Sequence, residues 1–570
     1  MSDPTVALVG DGPPREAVEA ALADGSASIH SPGIDGLGDA ALGVVVGVSG
    51  SAGFREANRI ATEARVPWLA VEIGGLGGHG VTTASVTAFG GTGPCYACLD
   101  TRIAAIDPTP TAKDPSRADA RFAGAVAGHL ATTHLGGSDV VGTVVEIPHT
   151  RRELLPVPTC PVCATSPDHG LTLSHRSVPL ADTVEAAERA VDDRLGIVAM
   201  VGERESYPAP YYLAQLADTD AFSDVSVTEH AAGVAPDWDA AYVKAVGEAL
   251  ERYSAGVYRT DSFREAPATA VTNPVAPDRF VRPESTLSVP DTRAIQWLPA
   301  TDLTERSPAH VPAADAVFPP PDEDIGPSIT TGLGLGNSTV EAVLSGLYEV
   351  IERDATMLSW YSTYDPVGLR VADETVGAVR RRAAAEGLDA TLVVVTQDID
   401  VPVVAAMVTR EEWPRFAAGS AASLDAPAAA ADAFGEALQN WMELRALGPE
   451  DAAEAGTGVA RYAENPHEVI DYFDVDTTVP ATDIGPATVP SGEAELESVV
   501  SRVTDVDLTP YATRLTPRDV ADIGFEAVRV LVPAAQPLFV EAPYFGDRAR
   551  SVPRELGYRP RLDRGYHPYP

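Results

Sequence analysis

Lysine is almost absent from this 570-residue chain: among 41 basic residues only Lys113 and Lys244 are lysines, so nearly every cation is an arginine. Asp and Glu number 82, and the formal charge is −41 at pH 7. Such a surface repels phosphate backbones and anionic lipid, which argues against nucleic acid and membranes as general partners and leaves any anionic ligand to a local site. Extreme acidity with so little lysine is expected of a halophilic chain, adapted to molar salt where the Debye length falls to about 3 Å. Long apolar runs are missing too. None reaches the roughly 18 to 20 residues of a membrane span, and no charged-then-apolar leader opens the chain, so a cytoplasmic protein is expected. Aromatics are sparse at 6%, but hydrophobic residues make up 45%, enough for the cores of two or more domains. No GxxxxGK[ST] occurs, and Lys244 is the one lysine near the acidic helices described below. A P-loop enzyme and a protein kinase are thereby excluded.

Cysteine is restricted to two pairs of one spacing, Cys95-Tyr-Ala-Cys98 and Cys160-Pro-Val-Cys163. Two CxxC knuckles supply the four thiolates of a tetrahedral structural zinc site, and a reducing cytoplasm favours metal over disulfides. A redox CxxC or unrelated thiols are the alternative. No cysteine is left over for covalent catalysis.

Residues 5 to 10 read as a buried strand and 15 to 22 as a helix. Residues 40 to 48, 54 to 65 and 66 to 73 continue the alternation as strand, helix and strand, the pattern of a parallel doubly wound sheet. Gly10-Asp-Gly-Pro-Pro-Arg15 begins like a dinucleotide loop but lacks the third glycine, and its prolines remove backbone donors, which argues against nucleotide binding there. Together with Val66-Pro-Trp-Leu-Ala-Val71 and Gly93-Pro-Cys-Tyr-Ala-Cys-Leu-Asp-Thr-Arg102, this order resembles the ThiF-like family related to ubiquitin-activating enzymes. It is most similar to the degenerate members found in peptide cyclodehydratases, which keep zinc and lose adenylation. The resemblance implies a Rossmann-like docking domain over residues 1–165 with a four-cysteine zinc site. A polar segment, residues 164 to 177, reads as the linker, and residues 178–570 read as a mixed α+β domain.

Two helical segments carry the same acidic pattern. Glu248-Ala-Leu-Glu251-Arg252 and Glu349-Val-Ile-Glu352-Arg353 each place two glutamates and an arginine on one helical face. Glu341, Glu349 and Glu352 share an arc of about 80°, opposite Val343, Leu347 and Ile351. One such face is ordinary in a chain this acidic, and Ser338 to Glu341 also fits a helix-capping box. Two copies, with the glycine-rich approach Thr331-Gly-Leu-Gly-Leu-Gly-Asn337, point instead to carboxylates converging on hard Mg²⁺ ions that bridge a triphosphate, with arginines holding the phosphates.

The segments Lys244 to Tyr253, Thr331 to Asp354 and Glu436-Ala-Leu-Gln439 resemble the YcaO family, over about residues 180 to 570. The resemblance implies an ATP-dependent enzyme in which Glu248, Glu251, Glu349 and Glu352 hold Mg²⁺. Asn337, Glu341 and Gln439 would contact the nucleotide, and Arg353 the phosphates. Where the family often has a phosphate-contacting arginine, this chain has Trp441; either Arg445, one turn on, substitutes or the contact is missing. The ending Tyr566-His567-Pro568-Tyr569-Pro570 resembles the proline-rich tail of azoline-forming members, so His567 or the carboxylate of Pro570 is a candidate general base. The implied activity is cyclodehydration of Cys, Ser or Thr to thiazoline or oxazoline in a ribosomally made peptide of bacteriocin type. Thioamidation and a non-catalytic peptide-docking role are the alternatives. The chain opens directly on a strand, without room for a winged-helix peptide clamp, so leader recognition is expected of a separate protein. An aromatic azole would need a separate flavin dehydrogenase, and the family admits a homodimer.

Overall fold

Short runs of Val, Ala and Leu separated by amphipathic segments build the first 153 residues around one sheet. The computed structural model describes residues 4–23, 25, 27–106, 115–286, 288–455, 458–464, 466–539 and 542–569. Strands Thr5–Val9, Ser28–His30, Leu42–Val48, Trp68–Ile73, Ala84–Phe89, Thr143–Glu146 and Thr150–Glu153 (β1 to β7) lie in the order β2-β1-β3-β4-β5-β6-β7. The β1–β2, β1–β3 and β3–β4 pairs are parallel, because helices Gly12–Ala23 (α1) and Ala52–Ala64 (α2) carry the chain back over the sheet. From β4 onward the pairs are antiparallel. Gly74, Gly77 and Gly78, all at positive φ, reverse the chain after β4. The parallel alternation read from the sequence therefore holds for half of the sheet. Gly10 has its own reason to be glycine: at φ 109° a Cβ there would lie 2.3 Å from the Val46 carbonyl oxygen.

Helices Tyr96–Ala105 (α3) and Arg117–Leu135 (α4) complete this layer. Segment 164–179 then crosses without regular structure until helix Leu180–Glu188 (α5). It is tied down at the start of the helix that opens at Thr339: Ser174 N donates to Thr339 Oγ1 at 2.8 Å, and Arg176 Nε to the Asn337 carbonyl at 2.6 Å. Strands Val198–Glu205, Tyr211–Leu216 and His230–Val234 (β8 to β10) form an antiparallel sheet against helix Trp238–Gly256 (α6).

A six-stranded sheet follows, in which Leu333–Gly336 pairs with Glu526–Leu531. Short Ala313–Ala316 (α7) packs against it, and helix Thr339–Trp360 (α8) lies across Leu333–Gly336. Bare backbone permits that approach: a Cβ on Gly334 would meet the Ala342 carbonyl at 2.2 Å, and one on Gly346 the Gly332 carbonyl at 2.4 Å. The glycine-rich approach thus serves helix–strand contact. A five-stranded sheet covers the other side of α8, with helices Glu374–Ala385 (α9) and Ala426–Ala455 (α10) beside it. Helix α10 breaks at Gly448, φ 81°, just before Pro449. Among the described residues no helix is long and apolar enough to cross a membrane.

Candidate active site

Helices α6, α8 and α10, with β10 and the segment before Gly332, enclose a cavity of about 980 Å³. Glu248, Glu251, Glu349, Glu352, Arg353 and Gln439 all line it, although they come from three separate helices. Three of the glutamates are held by a backbone or hydroxyl donor. The Ala232 amide donates to Glu248 Oε2 at 2.9 Å, the Gly332 amide to Glu349 Oε2 at 2.9 Å, and Ser420 Oγ to Glu352 Oε1 at 2.6 Å. Arg353 lies among three carboxylates, 3.4 Å from Glu352, 3.8 Å from Glu349 and 3.9 Å from Glu436. Arg252 pairs with Glu248 at 2.5 Å.

Burial pushes the Glu251 carboxyl up to about 8, helped by the neighbouring charges of Glu349 and Glu248. Glu352 is also pushed up to about 8, first by burial and then by Glu436, against the opposing pull of Arg353. Glu349, Glu436 and Glu443 are raised by burial as well. Carboxylates held away from water in this number outweigh the cations beside them, and hard divalent ions relieve that imbalance. The donor set is all oxygen, as Mg²⁺ prefers. Mg²⁺ takes one or two carboxylates and completes its shell with phosphate and water.

Two residues expected at the nucleotide, Asn337 and Glu341, are absent from the cavity wall. They close the start of α8 instead: Ser338 Oγ accepts from the Glu341 amide, and Glu341 Oε2 accepts from the Asn337 amide at 2.9 Å. Thr183 Oγ1 donates to the Asn337 side chain at 3.3 Å. Glu341 shares the face of Glu349, but eight residues of rise carry it about 12 Å away along the axis. Its carboxylate accepts from the Asn337 amide rather than from that of Ser338, so the reciprocal capping box is not formed.

Arg445 also fails to reach the cavity. It pairs with Glu205 and with Glu386 at 3.5 Å, and its guanidinium lies 4.3 Å from the Trp441 ring centroid. Trp441 is fully buried core, its indole N–H donating to the Pro414 carbonyl. Arg445 is thus held on Trp441, away from the cavity wall. Arg445→Ala should change Mg-ATP affinity by less than about two-fold while lowering the melting temperature, as titration calorimetry and thermal unfolding would register.

His567 is buried, its Nε2 2.7 Å from the Phe539 carbonyl oxygen, and it stacks on Tyr566 at 4.3 Å. That contact requires Nε2 to carry the proton. Burial and, in lesser part, the charge of Arg353 push the imidazole down to about 4. The ring is absent from the cavity wall, and its contact with Phe539 anchors the tail. Pro570 lies outside the described residues.

Glu436 and Arg252, which the sequence motifs contain without an assigned role, and Glu443, which they omit, also line the cavity. On α10, Glu436, Gln439, Asn440 and Glu443 share the cavity face, with Gln439 Nε2 donating to Glu443 Oε1 at 3.1 Å and Tyr211 OH to the same oxygen at 3.3 Å. The i, i+3, i+4, i+7 spacing was the available signal.

The four cysteines gather away from this cavity. Their sulfurs lie 3.4 Å (Cys98–Cys163), 3.7 Å (Cys95–Cys160) and 3.9 Å (Cys95–Cys98) apart, and all four fall within 4.8 Å. A tetrahedron with zinc–sulfur distances of about 2.3 Å separates its sulfurs by roughly 3.8 Å. The set fits that ion.

Residues 232–536 match the family model described as YcaO cyclodehydratase, ATP- and Mg²⁺-binding. The chain belongs to this family. With the YcaO family it is an ATP-dependent cyclodehydratase enzyme. An uncharacterized protein of Methanothermobacter thermautotrophicus is 28% identical over 330 residues, 55% of this chain and 82% of that protein. The fold is shared with a heterocyclase solved in complex with substrate and cofactor (TM-score 0.74, 20% identity, 97% of this chain and 83% of that one). It is shared as well with the heterocyclase TruD (TM-score 0.66, 18% identity, 98% and 82%). YcaO from Methanopyrus kandleri, solved with AMPPCP and Mg²⁺, aligns with a TM-score of 0.50 at 24% identity, over 63% of this chain and 91% of that one.

Proposed function

We propose that this YcaO protein cyclodehydrates Cys, Ser or Thr in a ribosomally made peptide to thiazoline or oxazoline. The carrying observation is the cavity lined by Glu248, Glu251, Glu349, Glu352 and Glu436, in which the last three surround Arg353. In this reading Mg²⁺ offsets triphosphate charge, while the glutamates hold the ions and Arg353, with Arg252 at the rim, draws the γ-phosphate into line. The substrate thiol or hydroxyl gives its proton to a base and adds to the preceding carbonyl carbon, and the resulting oxyanion takes the γ-phosphoryl group from ATP with release of ADP. Loss of phosphate, with the amide proton, leaves the azoline ring. Positioning and charge neutralisation supply this chemistry without a protein nucleophile.

The cysteine set is read as structural zinc within a ThiF-like docking segment over residues 1–165, with 178–570 as the catalytic unit. Peptide capture by a separate leader-binding protein, and oxidation to azoles by a separate flavin dehydrogenase, complete the scheme. The acidic, lysine-poor surface is read as halophilic and cytoplasmic. The general base is read in the tail from Tyr566 onward, which His567 anchors on the Phe539 carbonyl. Candidate peptides incubated with Mg-ATP in molar KCl should lose one water per ring by mass spectrometry. Exchange of oxygen for sulfur would replace this reading with thioamidation, and an unchanged mass with ATP still bound would favour docking. Removing the last five residues should abolish ring formation while leaving ATP binding in place; unchanged ring formation would refute the tail's role.

A further inference from the structure

Helix α6 carries Glu248 and Glu251 on the cavity side, and the opposite side of the same helix is pinned by a buried charged network. Tyr253 follows Glu248 by five residues, so it projects about 140° around the helix from it. Its hydroxyl donates to Asp519 Oδ2 at 2.6 Å. The same oxygen receives Arg102 Nη2 at 2.8 Å. All three side chains are at most 3% exposed. Arg102 is also satisfied by the carbonyls of Leu155, Pro156 and Gly196.

Arg102 sits on α3 one turn after Cys98, and the Val157 amide, next to Pro156, donates to Cys98 Sγ at 3.3 Å. Asp519 opens the short helix Arg518–Asp522, whose Arg518 donates to the Cys163 carbonyl at 2.8 Å and approaches its sulfur at 3.5 Å. The cysteine cluster, α3, the 518–522 helix and α6 thus share one hydrogen-bonded frame and one apolar core, which includes Cys95, Cys98, Cys160, Tyr253 and Val520. A buried ion pair adds little net stability, and its best-attested use is to fix register between elements. Here the element whose rotation it fixes presents two carboxylates to the cavity.

We propose that Tyr253, held by Asp519 and Arg102, is a positioning residue that sets the rotation of α6, so that the cysteine-bearing N-terminal segment tunes metal–nucleotide binding at Glu248 and Glu251. The proposal rests on the reading of the cavity as the Mg-ATP site. Removing the hydroxyl frees α6 to rotate by a few degrees without opening a cavity, since the ring stays in place.

The test is calorimetric titration of the full chain in molar KCl with Mg²⁺ and a non-hydrolysable ATP analogue, alongside melting curves and zinc content by mass spectrometry. Tyr253→Phe should bind about ten-fold more weakly, with zinc content unchanged and turnover restored at high Mg-ATP. Binding within two-fold of the unaltered protein would overturn the proposal. Glu248→Gln is the companion: if it leaves binding intact, the reading of the cavity falls first, whereas loss there with Tyr253→Phe unaffected overturns the positioning role alone. Should Tyr253→Phe not fold, Arg518→Gln, at the partly exposed end of the frame, is measured in its place with the same two outcomes.

Discussion

Glu352→Gln should weaken Mg-ATP binding by about 100-fold or more, yet leave the metal-free protein as stable as before or more so. The first half follows from removing a metal-side carboxylate, since even outer partners of ligands cost about 10- to 100-fold in affinity. The second half follows from electrostatics. Glu352 is buried, its carboxyl is pushed up to about 8, and Glu436 and Glu349 crowd it with like charge. A neutral amide of the same shape sheds that penalty and still accepts from Ser420 Oγ, now 2.6 Å from the carboxylate. The site holds a group in a charge state the fold alone disfavours, which is what a binding site for cations requires. Calorimetric titration and thermal unfolding in EDTA decide the matter. Unchanged affinity would remove Glu352 from the metal site, and a lower melting temperature would mean that its carboxylate is structural.

The sequence made the paired acidic faces visible because helical periodicity is local: Glu248 and Glu251, then Glu349 and Glu352, sit at spacings that any amphipathic helix must bring to one side. Periodicity reports angle but not depth, and so Glu341 was placed with Glu349 although helix rise separates them. The second pair of cysteines was legible for the same local reason, its partner set being the only other CxxC. What stayed hidden depends on chain closure. Ser420, 68 residues from Glu352, comes to it only through the packing of α8 on its neighbouring sheet. Arg102 and Asp519 are 417 residues apart, and no spacing rule connects them. The antiparallel half of the first sheet depends on glycine turns whose conformations become evident only in three dimensions. Trp441, which stands where the family often has an arginine, is core because α10 turns that position toward Pro414.

Asp354 stands two residues after Glu352, inside the same acidic motif, and should behave in the opposite way. It does not line the cavity. Fully buried, it accepts Arg548 Nη2 at 2.6 Å, Arg548 Nε at 3.1 Å and the Gln536 amide at 2.7 Å, fastening α8 to the helix Arg548–Glu555. Asp398 pairs with the outer edge of the same guanidinium at 2.8 Å. Removing one partner of a buried pair leaves a charge that the interior cannot solvate, which costs about 3–5 kcal/mol. Asp354→Ala should therefore lose stability on that scale in urea titrations in molar KCl. Asp398 moderates the loss by keeping one side of Arg548 paired, so Asp354→Ala with Asp398→Ala should lose more than the sum of the two single changes. Within the folded population, Mg-ATP affinity should stay within about three-fold, because the motion lies at the C-terminal half of α8, beyond Arg353. A weakened Mg-ATP affinity at unchanged stability would place Asp354 in the site. The expected result separates the motif by physics: Glu352, costly to the fold, serves binding, and Asp354, fully paired, serves the fold.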